Sequence, residues 1–185
     1  MKKYLWTSVK LTIVMIFICC VIYFGIVATI GRMAPGAGGG EKLTAHGKVV
    51  GYALVGQKFT GDKYFWGRPS AVDYNAAGSA GSNKGPSNPE YLKIVQERID
   101  SFLVHHPGIS KSAVPAEMVT ASGSGLDPDI SPASAYIQVK RIAAARKTGE
   151  QQITDLISSH IKKSFAGPET VNVLKLNIAL DEQGK

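Results

Sequence analysis

Four histidines, a few acids set among prolines, and two loops rich in Gly and Ser are the parts of this 185-residue chain that could do chemistry. Gly78 to Ser87, GSAGSNKGPS, has the composition of a phosphate-binding loop. It lacks the order G-x-x-x-x-G-K-[ST], because Lys84 follows Asn83 and Pro86 stands where the helix must begin. Gly123-Ser124-Gly125 offers a serine without the G-x-S-x-G spacing of a nucleophile elbow. His105, His106, Asp127 and Asp129 could serve such a serine, but nothing in their spacing places them beside it. His46, His105, His106 and His160 form neither H-x₃-H nor H-E-x-x-H, and neighbouring histidines on a helix point apart, so no metal site is expected. Asp127, Asp129 and Ser131, interleaved with Pro128 and Pro132, have the types that hydrogen-bond local backbone at turns and caps. The residues therefore favour binding or assembly over catalysis.

What positions these loops begins with a membrane segment. Leu11 to Ile30 carries no charge and no proline. Twenty residues of helix cover roughly 30 Å, the thickness of bilayer hydrocarbon, and only a helix satisfies the backbone there. Lys2, Lys3 and Lys10 precede it, with Tyr4 and Trp6 as interfacial aromatics, whereas only Arg32 follows before Lys42. This bias predicts an N-terminus in the cytoplasm and a domain outside it. The apolar core exceeds that of a cleaved signal peptide, and Ala28-Thr29-Ile30 matches a cleavage site poorly, so the span is expected to be retained. Cys19 and Cys20 lie within it, and the rest of the chain has no cysteine. The net charge of +7 is partly the N-terminal lysines, and the remaining cations form no run of the kind that binds nucleic acid.

The expected organisation is a flank over 1–10, a transmembrane helix over 11–30, a Gly-rich linker over 31–42 and one mixed α+β extracytoplasmic domain over 43–185. Lys48–Phe59 reads as one or two strands. Tyr64, Phe65 and Trp66 form an aromatic cluster suited to a core, with an exposed docking patch as the alternative for some of it. Residues 71–89 form a long loop ending at a helix start, capped by Ser87 with Glu90 or by Asn88 with Pro89. Leu92, Val95, Ile99, Phe102 and Leu103 then mark an amphipathic helix to about His105. Residues 114–121 are a short element of open type. After the second loop, Ser122–Pro132, Ser131 caps a helix running to about Lys147, with Gly149 as its C-cap. Thr148 and Gln151 suggest a capping box for a third helix, ending near Phe165. Leu174, Leu176, Ile178 and Leu180 alternate with polar or small residues, which predicts a final half-buried strand returning to pair with the first.

Several of these segments resemble, in order, the C-subunit family of the Kdp potassium-transporting ATPase. They are Gly56-Gln57 with Phe59; Gly67-Arg68-Pro69-Ser70-Ala71; Gly81-Ser82-Asn83; Gly85-Pro86-Ser87-Asn88-Pro89; Thr120 to Pro128; and Ile130-Ser131-Pro132. Arg141-Ile142-Ala143 and Asn172-Val173-Leu174 extend the resemblance over nearly the whole chain. Lys84 and Tyr52 stand where the family usually has an apolar and a small residue. The resemblance implies a non-catalytic accessory subunit of a high-affinity K⁺ uptake complex in the bacterial inner membrane, with a periplasmic domain. Implied partners are a channel-like A subunit, a P-type ATPase B subunit and a small single-span F subunit. ATP and K⁺ would belong to the complex, and no cofactor is assigned to this chain. The family is described as a catalytic chaperone that raises the ATP affinity of the B subunit. A free-standing anchored periplasmic enzyme or sensor is the alternative. Arg68, Pro69, Ser70, Ser82, Asn83, Asn88, Pro89, Ser122, Ser124, Asp127, Ser131 and Pro132 are the expected structural or docking loop residues. In the span, Ser8, Thr12, Cys19 and Thr29 share a heptad-spaced stripe, and Gly25 with Thr29 is a small-xxx-small pair suited to helix packing.

Overall fold

A computed structural model describes residues 2–183, except for the side chains of Lys2 and Lys3, which lie outside the described residues along with their part in the orientation argument. The chain divides between Lys42 and Leu43 into two compact units.

The N-terminal unit is one long helical rod. Helix α1 (Lys2–Ile16) passes through a π-helical segment (Phe17–Ile22) into α2 (Tyr23–Gly31). The stretch Tyr4–Gly31 is long and apolar enough to cross a membrane. A turn closed by i→i+5 bonds holds about one residue more than an α-turn, which rotates the next stretch of helix by roughly 100°. Ser8 and Thr12 therefore do not share a face with Gly25 and Thr29, as an unbroken heptad requires. Thr29 Oγ1 also donates to the Gly25 carbonyl at 2.7 Å, within its own helix. The Gly-rich segment is wound into successive turns, with Ala37 N donating to Ala34 O and Gly39 N to Gly36 O. Gly36 has φ +82°, and a Cβ there would meet the Gly40 carbonyl carbon at 2.3 Å, so only glycine permits this closure.

The second unit begins with a two-stranded hairpin, β1 (Lys42–Ala45) and β2 (Lys48–Tyr52), turned at His46-Gly47. Helix α3 (Pro89–His105) starts at Asn88, whose side chain accepts from Tyr91 N, so Asn88 rather than Ser87 is the cap. Phe102 is its buried anchor, while Leu92 faces solvent. Residues 111–118 contain two 3₁₀ turns, Lys111–Ala113 and Ala116–Met118. Ser131 then caps α4 (Pro132–Tyr136). The expected single helix to Lys147 is broken before α5 (Val139–Arg146). At the break Gln138 N reaches only Ala135 O, and the Gln138 side-chain amide takes the Ser134 carbonyl that a continuous helix would offer to its backbone. Lys147, at φ +55°, is the C-cap of α5, and Gly149 instead precedes α6 (Glu150–His160). The Thr148–Gln151 box does not form: Thr148 bonds Gln152, and Gln151 bonds Asp155. Helix α6 stops at His160, short of Phe165, where β4 (Ile161–Lys162) begins.

The largest departure is at the C-terminus. Only Thr170–Asn172 is extended (β5), and Val173–Gln183 is helix α7. Strand β5 does not return to the first strand. It lies between β3 (Asp129–Ile130) and β4, antiparallel to both, in the order β3-β5-β4. Val173, Leu174, Leu176, Asn177 and Leu180 are the buried face of α7, a spacing of three and four that overrides the apparent alternation. Asn172 fixes this start, since its Oδ1 accepts from Lys175 N. The core joins Phe65 and Phe102 to Ile142, Ile153, Ile157, Val171, Leu176 and Leu180. Each such side chain contributes about 1.5–3 kcal/mol on burial.

Candidate functional site

The two Gly- and Ser-rich loops lock onto each other. Ser122 N donates to Pro69 O at 3.0 Å, and Ser70 Oγ donates to Gly125 O at 2.7 Å while accepting from Val72 N and Tyr74 N. Ser79 Oγ reaches Ser124 O at 2.9 Å. Arg68 Nη1 meets Asp127 Oδ2 at 3.1 Å in a half-buried pair. Tyr74 gives its hydroxyl to Arg68 O at 2.5 Å, and burial first, then the nearby Asp127 carboxylate, pushes the phenol up to about 12. Glycine permits the close approach. A Cβ on Gly56 would lie 2.4 Å from Asp127 O, in a place where Gly56 N instead donates to Leu126 O at 2.8 Å.

Most other residues of the second loop hold its own backbone. Ser122 Oγ accepts from Gly125 N, Ser124 Oγ from Leu126 N, and Asp127 Oδ1 from Asp129 N. Ser131 Oγ accepts from Ser134 N, with Pro132 next to it as the first helical residue. Ser131 N and Ser134 Oγ both donate to Glu117. Burial opposes the Glu117 charge, but these bonds outweigh it and hold the carboxyl below its ordinary value. Asp129 goes the other way, raised chiefly by burial. Pro89 opens α3 behind the Asn88 cap. Ser82 is half-buried and Asn83 is exposed at φ +52°, outside the clasp.

A second, deeper node was not legible as a site. The backbone of Phe65 and Trp66 is gripped by two side-chain amides. Asn177 Oδ1 accepts from Phe65 N at 2.8 Å and its Nδ2 donates to Phe65 O at 3.0 Å. Gln138 does the same for Trp66, at 2.8 and 3.2 Å. Arg141, 6 % exposed, donates to Gly61 O, Asp62 O, Tyr64 O, Gln138 Oε1 and His106 Nε2, and its guanidinium lies 4.2 Å from the Trp66 ring centre. Burial lowers its pKa to about 10. His106 also bonds Phe102 O through Nδ1 at 2.8 Å and stacks on the Phe102 ring at 3.8 Å. Because Nε2 accepts from Arg141 Nε at 3.0 Å, Nδ1 carries the proton and the ring is neutral. Burial, with Arg141 and His105 adding to it, lowers the His106 pKa to about 4.

His105 and His106 do not point apart as adjacent helical residues would. His106 is the non-helical C-cap, and both rings meet Trp66 edge-on, at 5.0 and 5.6 Å. His105 Nδ1 lies 2.8 Å from Asp62 Oδ1. The serines of the loops face backbone rather than either histidine. Among the described residues no three His, Cys, Asp or Glu groups are close enough to hold a metal ion. The arrangement is a set of clasps able to hold a shaped surface, in which Arg68 Nε is the buried polar atom left without a partner among the described residues. One signal could have exposed the node: Gln138, Arg141 and Asn177 each sit among apolar residues at helical spacing, where a polar group must find partners.

The model of the family described as K⁺-transporting ATPase, c chain, matches residues 5–182. A potassium-transporting ATPase KdpC subunit of Flavobacterium johnsoniae is 57 % identical over 180 residues, covering 97 % of this chain and 98 % of its own. One from Bacteroides fragilis is 52 % identical over 97 % of both chains, and one from Caldanaerobacter subterraneus is 41 % identical over 96 % of this chain and 94 % of its own. With a match that begins within α1 and ends within α7, the chain belongs to the KdpC family, the C-chain subunits of the K⁺-transporting ATPase.

Proposed function

We propose that this chain is a non-catalytic accessory subunit that assembles and stabilises the ATP-driven K⁺ uptake complex. It crosses the inner membrane once, with its N-terminus in the cytoplasm and its α+β domain in the periplasm. The family match over almost the full length carries this reading. Two further observations support it. The loop serines and acids are engaged with backbone and with one another, as a docking scaffold requires. The cationic residue Lys10 precedes the apolar segment on the side assigned to the cytoplasm. Its partners are the channel-like A, P-type B and single-span F subunits. ATP and K⁺ are handled by them, and this chain raises the ATP affinity of the B subunit as a catalytic chaperone.

The test is a detergent pull-down through a C-terminal tag on this chain. Two large membrane subunits are expected with it, together with a K⁺-stimulated ATPase activity that disappears when the chain is omitted. Recovery of this chain alone refutes the assignment. The chaperone role is tested separately by the ATP dependence of hydrolysis: half-saturation unchanged by omission of the chain rejects that role without touching assembly.

A further inference from the structure

One face of α3 and residues 58–74 border a cleft that the clasps leave open. Its volume is about 620 Å³, within the range of about 300–1,000 Å³ in which ligand sites fall. Ile94, Glu97, Arg98, Ser101 and His105 line it from the helix, at spacings that put them on one face. Phe59 and Trp66 also line it, each packed on the core and half-buried. Ile94, on the helix side, is exposed. The cleft therefore combines apolar walls with charged groups.

Most of those charges are answered within the chain. Lys58 pairs with Asp73 at 2.6 Å, and His105 meets Asp62 at 2.8 Å. Arg98 is different. It is half-buried, its Nη1 donates to the neutral Val119 carbonyl at 3.1 Å, and it pairs with no acid among the described residues. Arg68 is answered only in part: Nη1 meets Asp127 at 3.1 Å, while Nε is buried without a partner. Both guanidiniums approach the turn Ala116–Met118. Arg98 bonds the carbonyl just after it, and the charge of Arg68 helps to hold the Glu117 carboxyl low. A half-buried cation without an acid and a buried N–H without an acceptor are both costly, and the group that a guanidinium holds best is a carboxylate, by two parallel bonds.

The rest of the lining narrows the occupant. Asp73 and Glu97 line the cleft and Asp127 stands beside Arg68, so a polyanion would be repelled. Glu97 is exposed and pairs with no cation among the described residues, which leaves an acceptor for a backbone N–H. A peptide with one carboxylate next to a large apolar side chain answers the cations, the acid and the aromatic wall together.

We propose that the cleft between α3 and residues 58–74 binds an acidic peptide segment of a partner protein, its carboxylate at Arg98 and Arg68 and its apolar side chain against Phe59, Trp66 and Ile94. Every lining residue belongs to the second unit, so the site is complete within it.

The experiment uses the full chain in micelles with Trp6→Phe, so that Trp66 in the cleft wall is the single tryptophan. The probes are the peptide acetyl-Leu-Glu-Leu-amide, its counterpart with Gln in place of Glu, and acetate. The Glu peptide is expected to shift Trp66 emission saturably in the millimolar range, the Gln peptide to bind about tenfold more weakly, and acetate to have no effect at the same concentrations. Arg98→Gln, whose amide can still donate to Val119 O, is expected to weaken the Glu peptide about tenfold. Ser101→Phe, on the exposed face of α3, fills the cleft without entering the core and is expected to abolish binding, which keeps the test decisive if Arg98→Gln fails to fold. Equal binding of the Glu and Gln peptides, or no saturable change with either, overturns the proposal. Parent affinity in Arg98→Gln or in Ser101→Phe places the binding elsewhere and overturns it as well. Acetate acting as strongly as the Glu peptide overturns the peptide occupant in favour of a free carboxylate.

Discussion

Acidification tests the deeper node through one proton. His106 is 3 % exposed and neutral, with a donor and an acceptor nitrogen each already engaged. Protonation would turn Nε2 from acceptor to donor against Arg141 Nε–H, beside a buried guanidinium. The folded pKa is lowered from 6.5 to about 4, so the unfolded chain takes up the proton first as pH falls. The contribution of this residue is therefore fully present above 6.5, is lost progressively down to about 4 and is level below that. At about 1.4 kcal/mol per pH unit, the loss over that window is roughly 3 kcal/mol. His106→Gln is the informative partner. Glutamine can donate to Phe102 O and accept from Arg141 without titrating, at a constant cost of about 1–2 kcal/mol for the lost stacking on Phe102. The assay is urea unfolding of the full chain in micelles across this pH range. Emission is followed from Trp66, with Trp6→Phe leaving it the single tryptophan. Carboxylates elsewhere titrate alike in both proteins, so the difference between the two pH profiles isolates His106. If His106→Gln keeps the same acid slope as the parent, the assignment of a neutral, doubly bonded ring is wrong.

Asn177→Ala removes both bonds to Phe65 and leaves a buried N–H and C=O unpaired, which is expected to cost about 2–4 kcal/mol in a urea midpoint measurement. A near-neutral result would mean that residue 177 faces solvent. Gly56→Ala drives a Cβ against the Asp127 carbonyl and is expected to cost about 1–3 kcal/mol, whereas Gly123→Ala, with open space around it, should stay within about 0.5 kcal/mol. Equal thermal midpoints for the two variants would contradict the close approach of the loops. Arg68→Ala breaks the pair with Asp127 and is expected to lower recovery of the complex or its K⁺ affinity; loss of neither would remove that loop from the docking scaffold. In the span, Gly25→Leu is expected to weaken co-purification more than Val21→Leu, and equal effects would leave the helix a plain tether.

Elements whose determinants are local were readable from the chain. The apolar segment needs only length and composition. The start of α3 needs only Asn88-Pro89, and that of α4 only Ser131-Pro132, since a cap and its amide donor lie within three residues. The turn roles of Ser124 and Asp127 are equally short-range. The region after β5 misled because Leu174, Leu176, Ile178 and Leu180 fit a period of two, while Val173, Leu176, Asn177 and Leu180 fit a helix equally well. Short apolar runs satisfy both periods, and the burial of Asn177 settles which one holds.

The sequence by itself determined the long apolar segment and the caps at Asn88 and Ser131, because each depends on neighbours a few residues away. Tertiary structure alone decided that Asn177 grips Phe65, 112 residues earlier in the chain, and that Arg141 answers carbonyls 77 to 80 residues before it. A buried polar side chain declares in sequence that it needs partners, but not which ones. Those are set by which backbone groups remain unpaired once α5 and α7 pack against the Phe65–Trp66 segment, and that is known only after the chain has closed on itself.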